Sequence, residues 1–220
     1  MTEMEKARAG LEFIRGDAQL RRIRERAERL CYRLNHTPPE EGGQREEILR
    51  ALIPNQGENC SIKPPFLCDY GEFIVLGRNF FANYGCKFVD GGTITFGNDV
   101  LVGPGCTFVT VNHAIEPERR LGGVMQCKPI TVGDNVWFGA EVTVCPGVTI
   151  GDNCVIGAGS VVVRDIPANT VAAGNPCKVI RCLEKRILKK VLTKFERHDI
   201  LSKLSRNKQK TTQTNMNIDN

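Results

Sequence analysis

A six-residue beat constrains this chain more than any other feature. Val132, Phe138, Val144, Ile150, Ile156 and Val162 each follow the last by six, and glycine comes next in four of the six cases, at Gly133, Gly139, Gly151 and Gly157. A second series, Val136, Val142, Val148, Cys154 and Ser160, lies four residues after these and is small or β-branched. Upstream the beat runs through Leu76, Ala82 and Phe88 and, after a two-residue slip, through Phe96, Val102 and Phe108. A solvent-exposed α-helix returns its apolar face every 3.6 residues and a two-faced strand every two, so six fits neither. It fits a short extended segment followed by a corner, the large residue facing inward and glycine relieving crowding at the turn. Three such segments close a triangular coil, and stacked coils pair their backbones in parallel sheets. The expected fold is a parallel β-helix.

The beat fails in one place, VTVNHAIEPERRLGGVMQCKP at 109–129. Continued from Phe108, it would put Ala114, Arg120 and Gln126 inside the prism, where an unpartnered guanidinium or amide costs several kcal/mol, roughly. Residues 110–129 are therefore expected to leave the coil as a loop, and long loops on regular scaffolds usually carry function or are disordered. This one holds the only histidine outside the terminal sections, His113. Imidazole, with an unperturbed pKa of about 6.5, suits general-base work, although a lone loop histidine is more often incidental.

The flanks read differently. Up to residue 57, apolar residues recur at helical spacing: Ala7, Leu11 and Ile14, then Leu20, Ile23, Ala27, Leu30 and Leu34, then Ile48, Leu49 and Leu52. Asn35-His36-Thr37-Pro38-Pro39 breaks the second helix. The coil is expected over 58–177, with its excursion at 110–129. A basic helix is expected over 178–205, on Leu183, Ile187, Leu188, Val191, Leu192 and Phe195, and a disordered tail over 206–220.

Composition excludes several classes. No run of eighteen apolar residues is present and no basic-then-apolar leader opens the chain, so a cytoplasmic protein with no membrane partner is expected. The ten cysteines are scattered without a C-x-x-C pair, which suits buried thiols in a reducing compartment better than disulfides or a zinc site. The segment from Lys178 carries twelve Lys and Arg against four Asp and Glu. That balance suits an anionic partner such as a phosphate-bearing small ligand, and equally a solvated helix face; no nucleic-acid partner is expected.

Several stretches together resemble the hexapeptide acyltransferases of the maltose and galactoside O-acetyltransferase type: NHT (35–37), LCDYG (67–71), GRNFFANY (77–84), the VNHAIEP loop, ITVGDNVWFGAEVTVCPGVTIGDN (130–153) and VIGAGSVVVRDIPANTVAAGNP (155–176). The resemblance covers roughly residues 5–182. It implies a left-handed β-helix, an exception to the usual right-handed crossover, and a homotrimer with active sites between subunits. It also implies acetyl transfer from acetyl coenzyme A to a hydroxyl of a sugar or glycoside, without a covalent enzyme intermediate and with no metal.

Carried over by position, His113 is the catalytic base, although Ala114 stands where the family commonly has proline. Asp17, Asp69, Asn83 and Met125 fall at acceptor-binding positions, and Asn83 is a candidate for the oxyanion as well. For Asp17 a helix cap before Ala18 is an equal reading. A second acidic position of the galactoside type falls on Gly91, with Asp90 adjacent. Trp137, Gly139, Ala140, Ala158, Val163 and Arg164 match positions along the pantetheine arm and cofactor, and Lys178 and Arg181, in NPCKVIR, would meet the nucleotide phosphates. A trimer-interface aromatic is an equal reading of Trp137. His36 reads as a capping or packing residue and His198 as solvated. Cys127 is the one loop thiol that bears on a double-displacement alternative.

Other readings are a coenzyme A-dependent enzyme with a non-sugar acceptor and a non-catalytic trimeric scaffold that keeps the prism. A zinc carbonic anhydrase of similar architecture needs three gathered histidines, whereas the prism of this chain has only His113.

Overall fold

The computed structural model of the 220-residue chain describes residues 1–183. Of the basic helix expected over 178–205, the part from residue 184 onward lies outside the described residues, as do the tail and His198. From Asn55 the chain climbs through repeated triplets of short strands. The first three are Asn55–Gln56, Ser61–Ile62 and Leu67–Cys68, and the next Ile74–Leu76, Phe81–Ala82 and Lys87–Val89. Equivalent strands of successive coils pair in parallel in three sheets of five, five and seven strands, the seventh of the last being an added antiparallel edge. The result is a β-helix of about six turns.

The six-residue series forms the interior columns. Leu76, Phe96, Val132 and Ile150 are register partners up one sheet. Ala82, Val102, Phe138, Ile156 and Ala172 run up the second. Phe88, Phe108, Val144 and Val162 run up the third. All are buried, and the second series from Val136 to Ser160 fills the corners. The phenylalanines interlock along the axis: Phe108 lies 5.1 Å from Phe88, 4.9 Å from Phe96 and 5.2 Å from Phe138, each edge-on, the geometry that the ring quadrupole favours.

The glycines after the inward residues have a different cause from crowding within the turn. Their φ angles are ordinary, and the constraint comes from the next coil. A Cβ at Gly139 would lie 2.6 Å from the Ala158 nitrogen, and one at Gly151 2.6 Å from the Ala168 nitrogen. Left-handed corners fall on Glu141, Gly85, Gly105, Gly147 and Gly159 and, in one column, on Asn79, Asp99, Asn135, Asn153 and Asn169, with φ between 54° and 59°. Their side chains form a ladder, Asn135 Nδ2 donating to Asn153 Oδ1 at 2.8 Å and Asn153 Nδ2 to Asn169 Oδ1 at 3.0 Å, which offsets the cost of that conformation for a residue with a Cβ.

Two helices close the first coil. The helix α2, Ala18–His36, buries Leu20, Ala27, Cys31 and Leu34, and α3, Gly42–Leu52, buries Ile48, Leu49 and Leu52. Asn35 fixes α2 to the coil by donating to the Phe66 carbonyl at 2.9 Å and accepting from its N–H at 2.8 Å. The segment before them corrects the helical reading of Leu11 and Ile14. The helix α1 covers only Glu3–Arg8, Gly10 turns the chain at φ +71°, and Glu12–Ile14 is a strand. In three residues only Phe13 is buried, so the alternation of a strand wins over helical spacing.

At the other end the NPCKVIR stretch is not the start of a helix. Lys178–Cys182 is a strand antiparallel to Thr170–Ala173.

Between Thr110 and Lys128 the chain leaves the prism. Lys128 N–H donates to the Thr110 carbonyl at 2.8 Å and closes the neck. Val111–His113 then pairs antiparallel with Val124–Cys127, with the one-turn helix Pro117–Leu121 between them. The Glu12–Ile14 strand adds a third member on the far edge of Val124–Cys127. Arg119 pairs with Glu12, and the Gln126 amide donates to the Gly10 carbonyl at 3.0 Å. The excursion is a small sheet, and Arg120 and Gln126 lie outside the prism.

Candidate active site

His113 ends the first strand of the excursion, opposite Met125. Its exposed ring lines a cleft of about 440 Å³ together with Phe13, Asp17, Arg24, Asp69 and Met125. A second hollow of about 330 Å³ lies on the other side of the same pair and is also bordered by His113 and Met125. His113 thus borders both.

Asp17 does two things. Its Oδ1 accepts from the Gln19 and Leu20 N–H groups at 2.9 and 3.0 Å, which caps α2, and the residue faces the cleft. Asp69 follows the strand Leu67–Cys68, and its carboxylate lies 3.7 Å from Arg24. Burial pushes the pKa of Asp69 up, against the pull of Arg24. Arg24 also donates to the Tyr70 hydroxyl at 2.8 Å, and burial raises that phenol to about 12.

Beneath them Asp90, 0% exposed, accepts from three successive backbone N–H groups: Asp69 and Tyr70 on Oδ1, both at 2.9 Å, and Gly71 on Oδ2 at 2.7 Å. Burial raises the Asp90 carboxyl to about 7 despite those bonds. Cys127 is fully buried and its thiol is raised to about 12, so it supplies no thiolate nucleophile near neutral pH. Gly91 has no space for a side chain, because a Cβ there would lie 2.5 Å from Val111 Cγ2 and 2.8 Å from Cys127 Sγ.

The structure thus brings together Asp17, Asp69, His113 and Met125. Asn83 is elsewhere: it follows the strand Phe81–Ala82 and accepts from the Tyr84 N–H at 2.9 Å, on a different sheet from the one that leads into His113. Val163, Arg164 and Lys178 share a hollow of about 470 Å³ at the far end of the coil, and Arg181 is exposed further along the strand that Lys178 begins, opposite Val171. Gly139 and Ala140 lie on the outer edge against the coil that carries Ala158. Trp137 is 55% exposed. His36 stacks on Tyr32 at 4.0 Å with Nδ1 2.7 Å from the Tyr32 carbonyl, outside the cleft.

Comparison with known proteins decides the family. Residues 6–57 match the maltose acetyltransferase hexapeptide capping motif and residues 129–164 the bacterial transferase hexapeptide of six repeats. The galactoside O-acetyltransferase of Escherichia coli K12 is 45% identical over 186 residues, which is 84% of this chain and 92% of the relative. The chain belongs to the hexapeptide-repeat acetyltransferases. Among solved structures of that family, a galactoside acetyltransferase in complex with coenzyme A superposes with a TM-score of 0.81 at 45% identity, covering 84% of this chain and 93% of the other. A maltose O-acetyltransferase from Clostridium difficile 630 gives 0.83 at 44% identity, covering 84% and 99%. The coil is accordingly the left-handed β-helix of the hexapeptide-repeat acetyltransferases, and the protein is an acetyltransferase.

Sequence reasoning missed Phe13 and Arg24 at this site and named Asp90 only as the neighbour of Gly91. Arg24 is one of many arginines on α2, and only its spacing of four from Leu20 puts it beside the buried face. Asp90 carried a usable signal, an acidic residue two places beyond the inward Phe88 and so in phase with the interior.

Proposed function

We propose that this acetyltransferase moves acetyl from acetyl coenzyme A to a hydroxyl of a sugar or glycoside, with His113 as general base. The observation that carries the reading is His113 held out of the coil on a paired strand, in one cleft with the carboxylates of Asp17 and Asp69. Carboxylates accept from hydroxyl donors, so the two acids would orient the acceptor while the imidazole takes the proton of the attacking oxygen. That oxygen forms a bond to the thioester carbonyl carbon, the carbon–sulfur bond breaks, and the imidazolium returns its proton to the departing thiolate. The products are the acetyl ester and free coenzyme A.

Acetyl coenzyme A as the donor is supported by the coenzyme A complex of the galactoside acetyltransferase. In this chain Arg164 and Lys178 border one hollow and Arg181 lies three residues further along the Lys178 strand, a cationic end suited to phosphates. Gly139, Ala140 and Ala158 leave a shallow outer edge for the pantetheine arm.

A homotrimer is supported by one outward column, in which Phe81, Leu101, Trp137 and Val155 are successive register partners and Leu101 and Trp137 are half exposed. A contiguous apolar face of that kind marks an interaction surface. An intersubunit site also accounts for Asn83, which a neighbouring subunit would supply to the cleft. Among the described residues no helix is long and apolar enough to cross a membrane, and the cytoplasm is the compartment that fits the ten reduced cysteines.

The acceptor reading has one specific competitor. The filled space at Gly91, against Val111 and Cys127, favours an acceptor other than a simple galactoside, with a non-sugar hydroxyl or an amine as the extreme case. Coenzyme A release measured over a panel of maltose-type sugars, galactosides, other glycosides and amines tests both. Turnover with a sugar or glycoside is expected, and turnover with amines alone would overturn the reading.

A further inference from the structure

Asp90 is a charged side chain that the chemistry above does not use. It is wholly buried, and the base of a packed coil is a costly place for a carboxyl group. A neutral residue would be cheaper there unless the geometry needs what only a carboxylate provides. The need is visible in its partners. Three consecutive N–H groups, of Asp69, Tyr70 and Gly71, converge on its two oxygens, a concave cluster of backbone donors of the kind that binds anions.

Those three residues are the turn in which the chain leaves the strand Leu67–Cys68. Gly71 sits at φ +73° with its α-carbon against the Leu52 carbonyl at the end of α3, so the far side of the turn is fixed by packing and the near side by Asp90. Asp69 and the buried Tyr70 both line the cleft and share Arg24.

We infer that Asp90 is a positioning residue for acceptor binding: its buried carboxylate locks the Asp69–Gly71 turn and thereby sets where the Asp69 carboxylate stands relative to His113. The inference rests on the reading that Asp69 binds the acceptor. Asparagine at position 90 keeps the shape and one acceptor oxygen, enough for Asp69 and Tyr70, but turns an amide donor toward the Gly71 N–H. The turn then loses one anchor of three while the coil keeps its packing. A displacement of about 1 Å in a positioning group costs up to about a hundredfold in rate or binding.

The test is steady-state kinetics with both substrates varied, on wild type, Asp90→Asn, Asp69→Asn and the double variant. Asp90→Asn is expected to raise the KM for the acceptor at least about tenfold and to leave the KM for acetyl coenzyme A within about twofold. In the Asp69→Asn background the same change is expected to add little, because its effect passes through Asp69. Equal rises in both KM values, or a full effect that persists without Asp69, would overturn the inference in favour of a general structural role. If Asp69→Asn alone leaves the acceptor KM unchanged, the acceptor reading fails first and this inference with it. Should Asp90→Asn not fold, amide hydrogen exchange on the wild-type protein decides. The Tyr70 and Gly71 amides are expected to be strongly protected, with further protection on adding acceptor. Exchange as fast as that of open loop amides would show that the carboxylate holds nothing.

Discussion

Trp137 lies directly beside Leu101 on adjacent parallel strands, and both side chains point away from the prism with about half their surface exposed, 55% and 49%. An indole and an isobutyl group stacked on an outer sheet face, continued by Phe81 and Val155, are costly in water. Trp137→Glu is therefore expected to convert the proposed trimer to monomers while the coil stays folded. Light scattering after size-exclusion chromatography reads the mass, and activity should disappear with the trimer because Asn83 would come from a neighbouring subunit. A trimer of undiminished stability in the variant would put the interface on another face.

Gly77→Ala tests the close approach between coils. A Cβ there would run into the carbonyl of Gly97 in the next coil, and backbone cannot yield as a flexible side chain can. A loss of about 3 kcal/mol, the upper end of overpacking, is expected in denaturant unfolding. A variant as stable as wild type would mean that the coils can part at no cost.

Phe108→Ala removes the ring that touches Phe88, Phe96 and Phe138. A fully buried aromatic replaced by alanine costs about 3–5 kcal/mol, and the cavity would open on the strand that leads into the neck of the excursion. Thermal unfolding should fall accordingly, and a change below about 1 kcal/mol would contradict the packed column.

How much of this was legible follows from which forces are periodic. The interior residues, from Leu76 to Val162, repeat because each coil repeats, so the fold can be read from spacing alone. The place where the prism opens can be read too, because Arg120 and Gln126 would otherwise be buried. The strand Glu12–Ile14 could not: three residues carry too little period, and their partner strand lies more than a hundred residues away. Lys178–Cys182 reads as the start of a basic helix until the edge of Thr170–Ala173 captures it. The site is partly legible for the same reason. His113 stands out as a histidine in a break and Asp90 as an acid in phase with the interior, whereas Arg24 matters through contacts across the fold that no local pattern encodes.

Asp90 also makes stability depend on pH with a definite sign. Its folded pKa is raised by burial to about 7 from the ordinary carboxyl value of 3.8, so between those values the native protein holds more proton than the unfolded chain, and stability falls as pH rises. The groups that face it, Asp69, Tyr70 and Cys127, are themselves shifted upward and do not reverse the sign. Asp90→Asn lacks this ionisation. The melting temperature of wild type relative to the variant is expected to decline from pH 5 to pH 7.5 and then level off. A difference that grows with pH would contradict the assignment.

The central claim is that the imidazole of His113 takes the proton from an acceptor hydroxyl as it attacks the thioester. Coenzyme A release from acetyl coenzyme A, measured with a turned-over acceptor for wild type and His113→Ala, tests it most directly. The account predicts a fall in kcat of about 10²–10⁴-fold with the trimer and the affinity for coenzyme A retained. Unchanged turnover in His113→Ala would contradict it.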